Sequence, residues 1–244
     1  MKNSIIRCLI LSAVIAGCTC ILPAHASIVL NNTRIVYEEQ SREASVKLTN
    51  VGNKPLVVQS WIDDGNVGKD PSLMRLPFIL MPPITRVEPG KGQTLRLMYT
   101  GESLPKDKES VFYLNVLEIP PRTAVSVDKN VMQIALRSRI KVFFRPSDLK
   151  RSASEAPEQL RWNLIKKEEG WMLECSNPSS YYVSMSEVSL TSPTQSSRIG
   201  DGMVAPGGKL DLPLTAAPMG NASVKFQIID DYGAAREHVS TLIK

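Results

Sequence analysis

The side chains that carry most enzyme chemistry are scarce: two histidines, His25 and His238, and four cysteines, Cys8, Cys18, Cys20 and Cys175, in 244 residues. One of those histidines and three of those cysteines fall in the first 26 residues, which read as a secretory signal. Lys2 and Arg7 give it a positive start, Cys8 to Leu22 is an uncharged apolar stretch of 15 residues, and Ala24-His25-Ala26 offers small residues at the two positions a signal peptidase reads. That stretch is shorter than the roughly 20 residues a membrane-spanning helix needs. Release after Ala26 has one competitor, lipidation of Cys18 behind Ile15-Ala16-Gly17. Without the leader only Cys175 and His238 remain, too few for an intramolecular disulfide, a histidine-rich metal site or a histidine-based nucleophilic triad. The paired carboxylates Asp63-Asp64 and Asp230-Asp231 are adjacent in the chain, so they point apart and read as solvated. No glycine-rich phosphate loop appears, and Trp61, Trp162 and Trp171 read as core rather than as a sugar platform. The expectation is a binding protein with no metal or cofactor, not an enzyme.

The composition suits a globular chain, with 43% hydrophobic and 22% charged residues. Behind the leader, 27 basic groups face 24 acidic ones, a surplus too small and too scattered to point to nucleic acid. Period-2 alternation recurs between turn signals, as in Ser45–Thr49, Leu56–Ile62, Gln93–Tyr99, Val111–Glu118, Trp171–Cys175 and Val224–Ile229. No window carries a helical period over twelve residues, so the fold class is all-β. Residues 147–159 are polar and read as a junction. Asn50 and Pro89-Gly90 are echoed by Asn177 and Pro206-Gly207, which points to two copies of one sandwich type with seven or so antiparallel strands each. The expected organisation is a signal peptide over 1–26, a first domain over 27–148, a junction over 149–159 and a second domain over 160–244.

One strand is too long for such a sandwich. Asn130 to Phe144 alternates over 15 residues, or roughly 50 Å at ~3.3 Å per residue, where about 5–6 residues are usual. Its even positions are Met132, Ile134, Leu136, Ser138, Ile140, Val142 and Phe144. Either a bulge absorbs the excess and all of these are core, or Met132, Ile134 and Leu136 run past the sandwich as an apolar edge. An undefended edge of that kind invites β-strand addition by a partner.

Several segments together resemble the periplasmic pilus-assembly chaperones of the usher pathway, the P-pilus chaperone family. They are Ser27–Arg34, read as a first strand with its basic residue, Trp61 followed by Ile62-Asp63, Leu95-Arg96-Leu97 after Pro89-Gly90, Glu109–Asn115, Glu118-Ile119-Pro120-Pro121, Gln133–Leu136, Arg139–Pro146, Asn177-Pro178 and Ile229–Gly233. The resemblance spans essentially the whole chain behind the leader. It implies two immunoglobulin-like β-sandwich domains set as an L around a cleft, located in the periplasm. The implied activity is to lend a strand to newly exported fimbrial subunits and deliver them to an outer-membrane usher. It places Arg34 and Lys141 as the cations that grip the subunit's C-terminal carboxylate, Met132, Ile134 and Leu136 as the donor strand, and Glu109, Arg145 and Asp231 as a structural interdomain salt bridge. The short segment Arg122–Asn130 suits the subgroup with a short loop there, which serves rod-like pili. The free chaperone is open to capping its own strand by dimerising. A pilus subunit, the rival reading from the structural class, would carry a disulfide and one incomplete sandwich, against one cysteine and two strand sets here.

Overall fold

The computed structural model describes residues 27–243 apart from 67, 69, 71–72, 122–133, 169, 192–195 and 217–221. Nine strands come from the first half: β1 (Ile28–Leu30), β2 (Arg34–Glu38), β3 (Ala44–Asn50), β4 (Leu56–Asp63), β5 (Phe78–Met81), β6 (Ile84–Val87), β7 (Gly92–Tyr99), β8 (Ser110–Ile119) and β9 (Leu136–Arg145). They form a four-stranded sheet, β1-β3-β7-β5, and a five-stranded sheet, β2-β9-β8-β4-β6. The two sheets share one core because alternate residues of each strand point inward. Val46 and Leu48 of β3, Leu95 and Leu97 of β7, Leu114 and Val116 of β8, and Val142 and Phe144 of β9 are all buried there. Each such side chain is worth roughly 1.5–3 kcal/mol of burial.

The segment Ser27–Arg34, expected as one strand, is two. After Leu30 the chain turns, with the Asn31 N–H donating to the Lys47 carbonyl at 3.0 Å, and Arg34 opens β2 in the opposite sheet. Ile35 and Tyr37 enter the core from this short edge strand, and the Tyr37 hydroxyl donates to the Ser41 carbonyl at 2.9 Å. Strand β2 is parallel to β9, and the register sets Arg34 opposite Lys141. The described part of the long strand covers ten residues, and its burial rises from exposed Leu136 to buried Phe144. Residues 130–133, with Met132, lie outside the described residues, as does the short-loop segment.

The second half supplies β10 (Arg161–Lys167), β11 (Gly170–Ser176), β12 (Val183–Thr191), β13 (Ser196–Val204), β14 (Lys209–Pro213), β15 (Ser223–Ile229) and β16 (Ala235–Ile243). Strand β16 pairs with β15 along its length and, at Leu242 and Ile243, in parallel with β10, so one strand joins the two groups. Each half therefore contains one parallel pair among its antiparallel ones. Trp162 is fully buried in this second core, whereas Trp61 and Trp171 are only half-buried. The polar stretch expected as a junction holds a 3-10 helix, Ala153–Gln159, whose Ala156 is buried against the second core.

The echo between the halves has a physical content. The Asn50 side-chain amide donates to the carbonyls of Lys54, at 2.9 Å, and Val87, at 3.0 Å. Asn177 donates to those of Tyr181 at 2.7 Å, Val204 at 3.3 Å and Ala205 at 3.2 Å. Both asparagines sit beside a Pro-Gly turn whose glycine has positive φ, Gly90 at 70° and Gly207 at 66°. Asn177→Ala removes these three bonds, leaving the Tyr181 carbonyl only the Ser179 hydroxyl and the Ala205 carbonyl only the Gly208 N–H. It is expected to cost about 1–3 kcal/mol, read as an earlier denaturant midpoint for the second half. An unchanged midpoint would reduce the clamp to a coincidence.

Candidate functional site

The parallel register between β2 and β9 puts two cations side by side where the two halves of the chain meet. Arg34 is 7% exposed. Its Nη1 donates to the Ile229 carbonyl of the second half at 2.6 Å, and its buried Nε has no hydrogen-bond partner. Lys141 Nζ donates to Ser184 Oγ, also of the second half, at 3.0 Å. Among the described residues neither cation makes an ion pair. Burial pushes the pKa of both below the ordinary values, and Arg34 adds to that effect at Lys141. Acidic neighbours offset this only in part, Asp231, Asp230 and Glu109 at Arg34 and Asp201 at Lys141, so the two cations are partly desolvated with room in their electrostatics for a further anion.

The site opens into a cleft of about 490 Å³ with residues of both halves in its wall, among them Arg34, Phe143, Tyr182, Ser184, Ile229 and Tyr232. Lys141 reaches it through Ser184. Nearby, Arg145 brings together the other two members of the predicted salt bridge, Glu109 and Asp231. Its Nε donates to Glu109 Oε1 at 2.8 Å, and its Nη1 and Nη2 donate to both Asp231 oxygens at 2.8 and 3.1 Å. Glu109 Oε2 accepts from the Tyr182 N–H at 2.8 Å, and the Glu109 N–H donates to the Ser180 carbonyl at 2.9 Å. Two halves of the chain are thus fastened by one guanidinium and one carboxylate. Burial still pushes the Glu109 pKa up, while its acidic partners hold Arg145 more firmly protonated than a free arginine.

Strand β9 has unequal cover. Strand β8 pairs with it from Leu136 to Phe144, but β2 covers only Lys141 to Arg145. Among the described residues, the stretch Leu136–Ile140 has a strand on one side only. Ile134 just before it is 68% exposed and Leu136 46% exposed. Apolar side chains and an unpaired backbone edge therefore lead straight up to the cation pair.

The family model for "Pili and flagellar-assembly chaperone, PapD N-terminal domain" matches residues 27–150, and that for "Pili assembly chaperone PapD, C-terminal domain" matches residues 155–240. The chain belongs to the pilus-assembly chaperone family. The probable fimbrial chaperone YadV of Escherichia coli K12 is 40% identical over 87% of this chain and 88% of its own. The chaperone protein FimB/FhaD of Bordetella pertussis is 38% identical over 90% and 89%. In three dimensions the crystal structure of the Pseudomonas aeruginosa CupB2 chaperone superposes with a TM-score of 0.76 at 37% identity, over 88% of this chain and 100% of that one. This is a family of assembly chaperones, not of enzymes.

Within this family member the sequence reading of Asp63 needs correction. Asp63 is not a solvated carboxylate but is 4% exposed. It accepts from Asn115 Nδ2 at 2.6 Å and from Arg139 Nε at 3.0 Å. Burial alone would raise its pKa, but these bonds, with that from the Gly65 N–H, hold it below the usual value. The guanidinium of Arg139 lies 3.6 Å over the ring of Tyr113, the residue opposite Lys141 in register. Asp230 instead locks its own turn, accepting from the N–H groups of Tyr232 and Ala234. Ser184, the Ile229 carbonyl and this Asp63–Arg139 brace had no sequence signal, since each depends on a contact made across the fold. Cys175 is fully buried, and burial pushes its thiol up to about 12, so it is an inert core residue. Among the described residues no helix is long and apolar enough to cross a membrane.

Proposed function

We propose that the chain is a periplasmic chaperone that captures fimbrial subunits by adding a strand to their incomplete sandwich and hands them to an outer-membrane usher. The observation that carries this reading is the cation pair at the end of an uncovered strand edge, buried Arg34 beside half-buried Lys141, neither in an ion pair among the described residues. A subunit's terminal carboxylate supplies the missing charge. The guest chain then follows the lane that β2 leaves empty. Because β2 runs parallel to β9, a guest whose last residue meets Arg34 in that lane also runs parallel to β9. The carboxylate sets the register, and register decides which guest pockets receive Met132, Ile134 and Leu136. Three buried side chains contribute roughly 5–9 kcal/mol before ordering costs. Glu109, Arg145 and Asp231 serve this reading structurally, by holding the second half against the cleft.

Ile134→Asp tests the donor strand. The side chain is exposed in the free chain, so circular dichroism and melting should match the native protein. Co-expressed fimbrial subunits should lose protection from proteolysis. Unfolding of the variant would place Ile134 in its own core and overturn the reading. The same edge is where a second copy would cap itself; a dimer seen by sedimentation for the native chain and lost in Ile134→Asp would mark that state.

A further inference from the structure

The cation pair draws on the second half of the chain as well as the first. Ser184 of β12 is buried and lines the cleft. Its Oγ accepts from Lys141 Nζ, the one hydrogen bond that this ammonium makes among the described residues. A hydroxyl that accepts from an ammonium keeps its own proton to give, and no described residue takes it. The strand that carries Ser184 is also fixed: the Tyr182 N–H, two residues earlier, is held by Glu109 Oε2 at 2.8 Å. Arg34 is oriented from the same side, because the Ile229 carbonyl takes Nη1 and leaves Nε facing no acceptor.

We propose that Ser184 is a third binding residue for the guest's terminal carboxylate, holding the Lys141 ammonium in the empty cleft and donating its hydroxyl proton to a carboxylate oxygen in the loaded one. The inference rests on the carboxylate reading above. A carboxylate is an acceptor on every lone pair, so it satisfies the Arg34 Nε–H, the Lys141 ammonium and the Ser184 hydroxyl together. A terminal amide turns a donor toward the same groups and cannot. Ser184 thus contributes to selection for a free, charged chain end, a task that a purely structural serine would not perform.

The test uses the full-length mature protein and a fluorescein-labelled peptide of alternating valine and threonine, with either a free C-terminal carboxylate or a C-terminal amide. Ser184→Ala should weaken the acid peptide about tenfold, the scale of one charge-assisted hydrogen bond, and leave the amide peptide unchanged. Ser184→Thr, which restores the hydroxyl, should recover most of that loss. Equal binding of the acid peptide by Ser184→Ala, or an equal loss for both peptides, overturns the proposal. Arg34→Ala in the same assay separates the two levels. If it loses acid-over-amide preference while Ser184→Ala retains it, only the serine's role fails. If it keeps the preference, the carboxylate reading and this inference fail together.

Discussion

Arg145→Ala should lower stability by about 3–5 kcal/mol, the penalty of removing one member of a buried ion network. The arginine is the common partner of Glu109, Asp231 and, at 3.4 Å, the exposed Glu38. Asp231 is partly exposed and can turn to water, but the Glu109 side chain is 2% exposed and cannot. Its carboxylate would retain only the Tyr182 N–H as compensation. The penalty should depend on pH in a stated direction. Burial already raises the Glu109 pKa above its ordinary value of 4.5, and loss of Arg145 raises it further. The folded variant then holds this proton more tightly than the unfolded chain. Its stability is greatest below the unfolded pKa and is lost as pH rises through the folded one. Chemical denaturation of the variant should therefore show a deficit at pH 7 that shrinks at pH 4. Solution scattering at pH 7 should show a looser relation between the halves, since Glu109 and Asp231 lose their common tie. A variant as stable as the native chain at neutral pH would remove the network's role.

Arg34→Ala and Lys141→Ala should have the opposite balance of effects. Both native cations are partly desolvated with no ion-pair partner among the described residues, and burial lowers the pKa of each. Removing either relieves a desolvation cost that the neighbouring acids offset only in part, so the melting temperature should hold or rise. Capture of a subunit should fall by about 2–5 kcal/mol, the cost of truncating one partner of a desolvated charge pair, or roughly 30- to 5,000-fold in affinity. A site kept at some cost to stability is what function at that site predicts. Native capture by either variant, at unchanged stability, would mean the pair does not meet the guest. A large loss of stability would mean that the pair is structural.

The strands most legible in the sequence were those with one wet and one dry face. β3, β4, β7, β8 and β11 alternate because one face of each enters a core. β13 and β16 escaped notice because their residues are largely exposed or half-buried, so no apolar period marks them. β5 and β6 are four residues each, separated by Pro82 and Pro83, too short for alternation to register. The division of Ser27–Arg34 into two strands depends on which sheet each piece joins, and pairing of that kind is long-range. The same limit applies to the site. Arg34 and Lys141 look like ordinary surface cations until parallel pairing sets them side by side. The family motifs singled out Glu109, Arg145 and Asp231, which the structure brings within hydrogen-bond distance of one another through the arginine. Ser184 lies in a run of small polar and apolar residues that resembles any half-buried strand, and its contact with Lys141 exists only because the two halves meet.

Amide hydrogen exchange of residues 134–140, measured on the free chain and on a purified complex with a co-expressed fimbrial subunit, tests the strand-addition account most directly. Leu136–Ile140 has one bare edge in the free chain, so the amides on that edge should exchange fast alone and slow by orders of magnitude in the complex, in an alternating pattern. Exchange in this stretch that is equally fast in both, while the subunit stays bound, would contradict it.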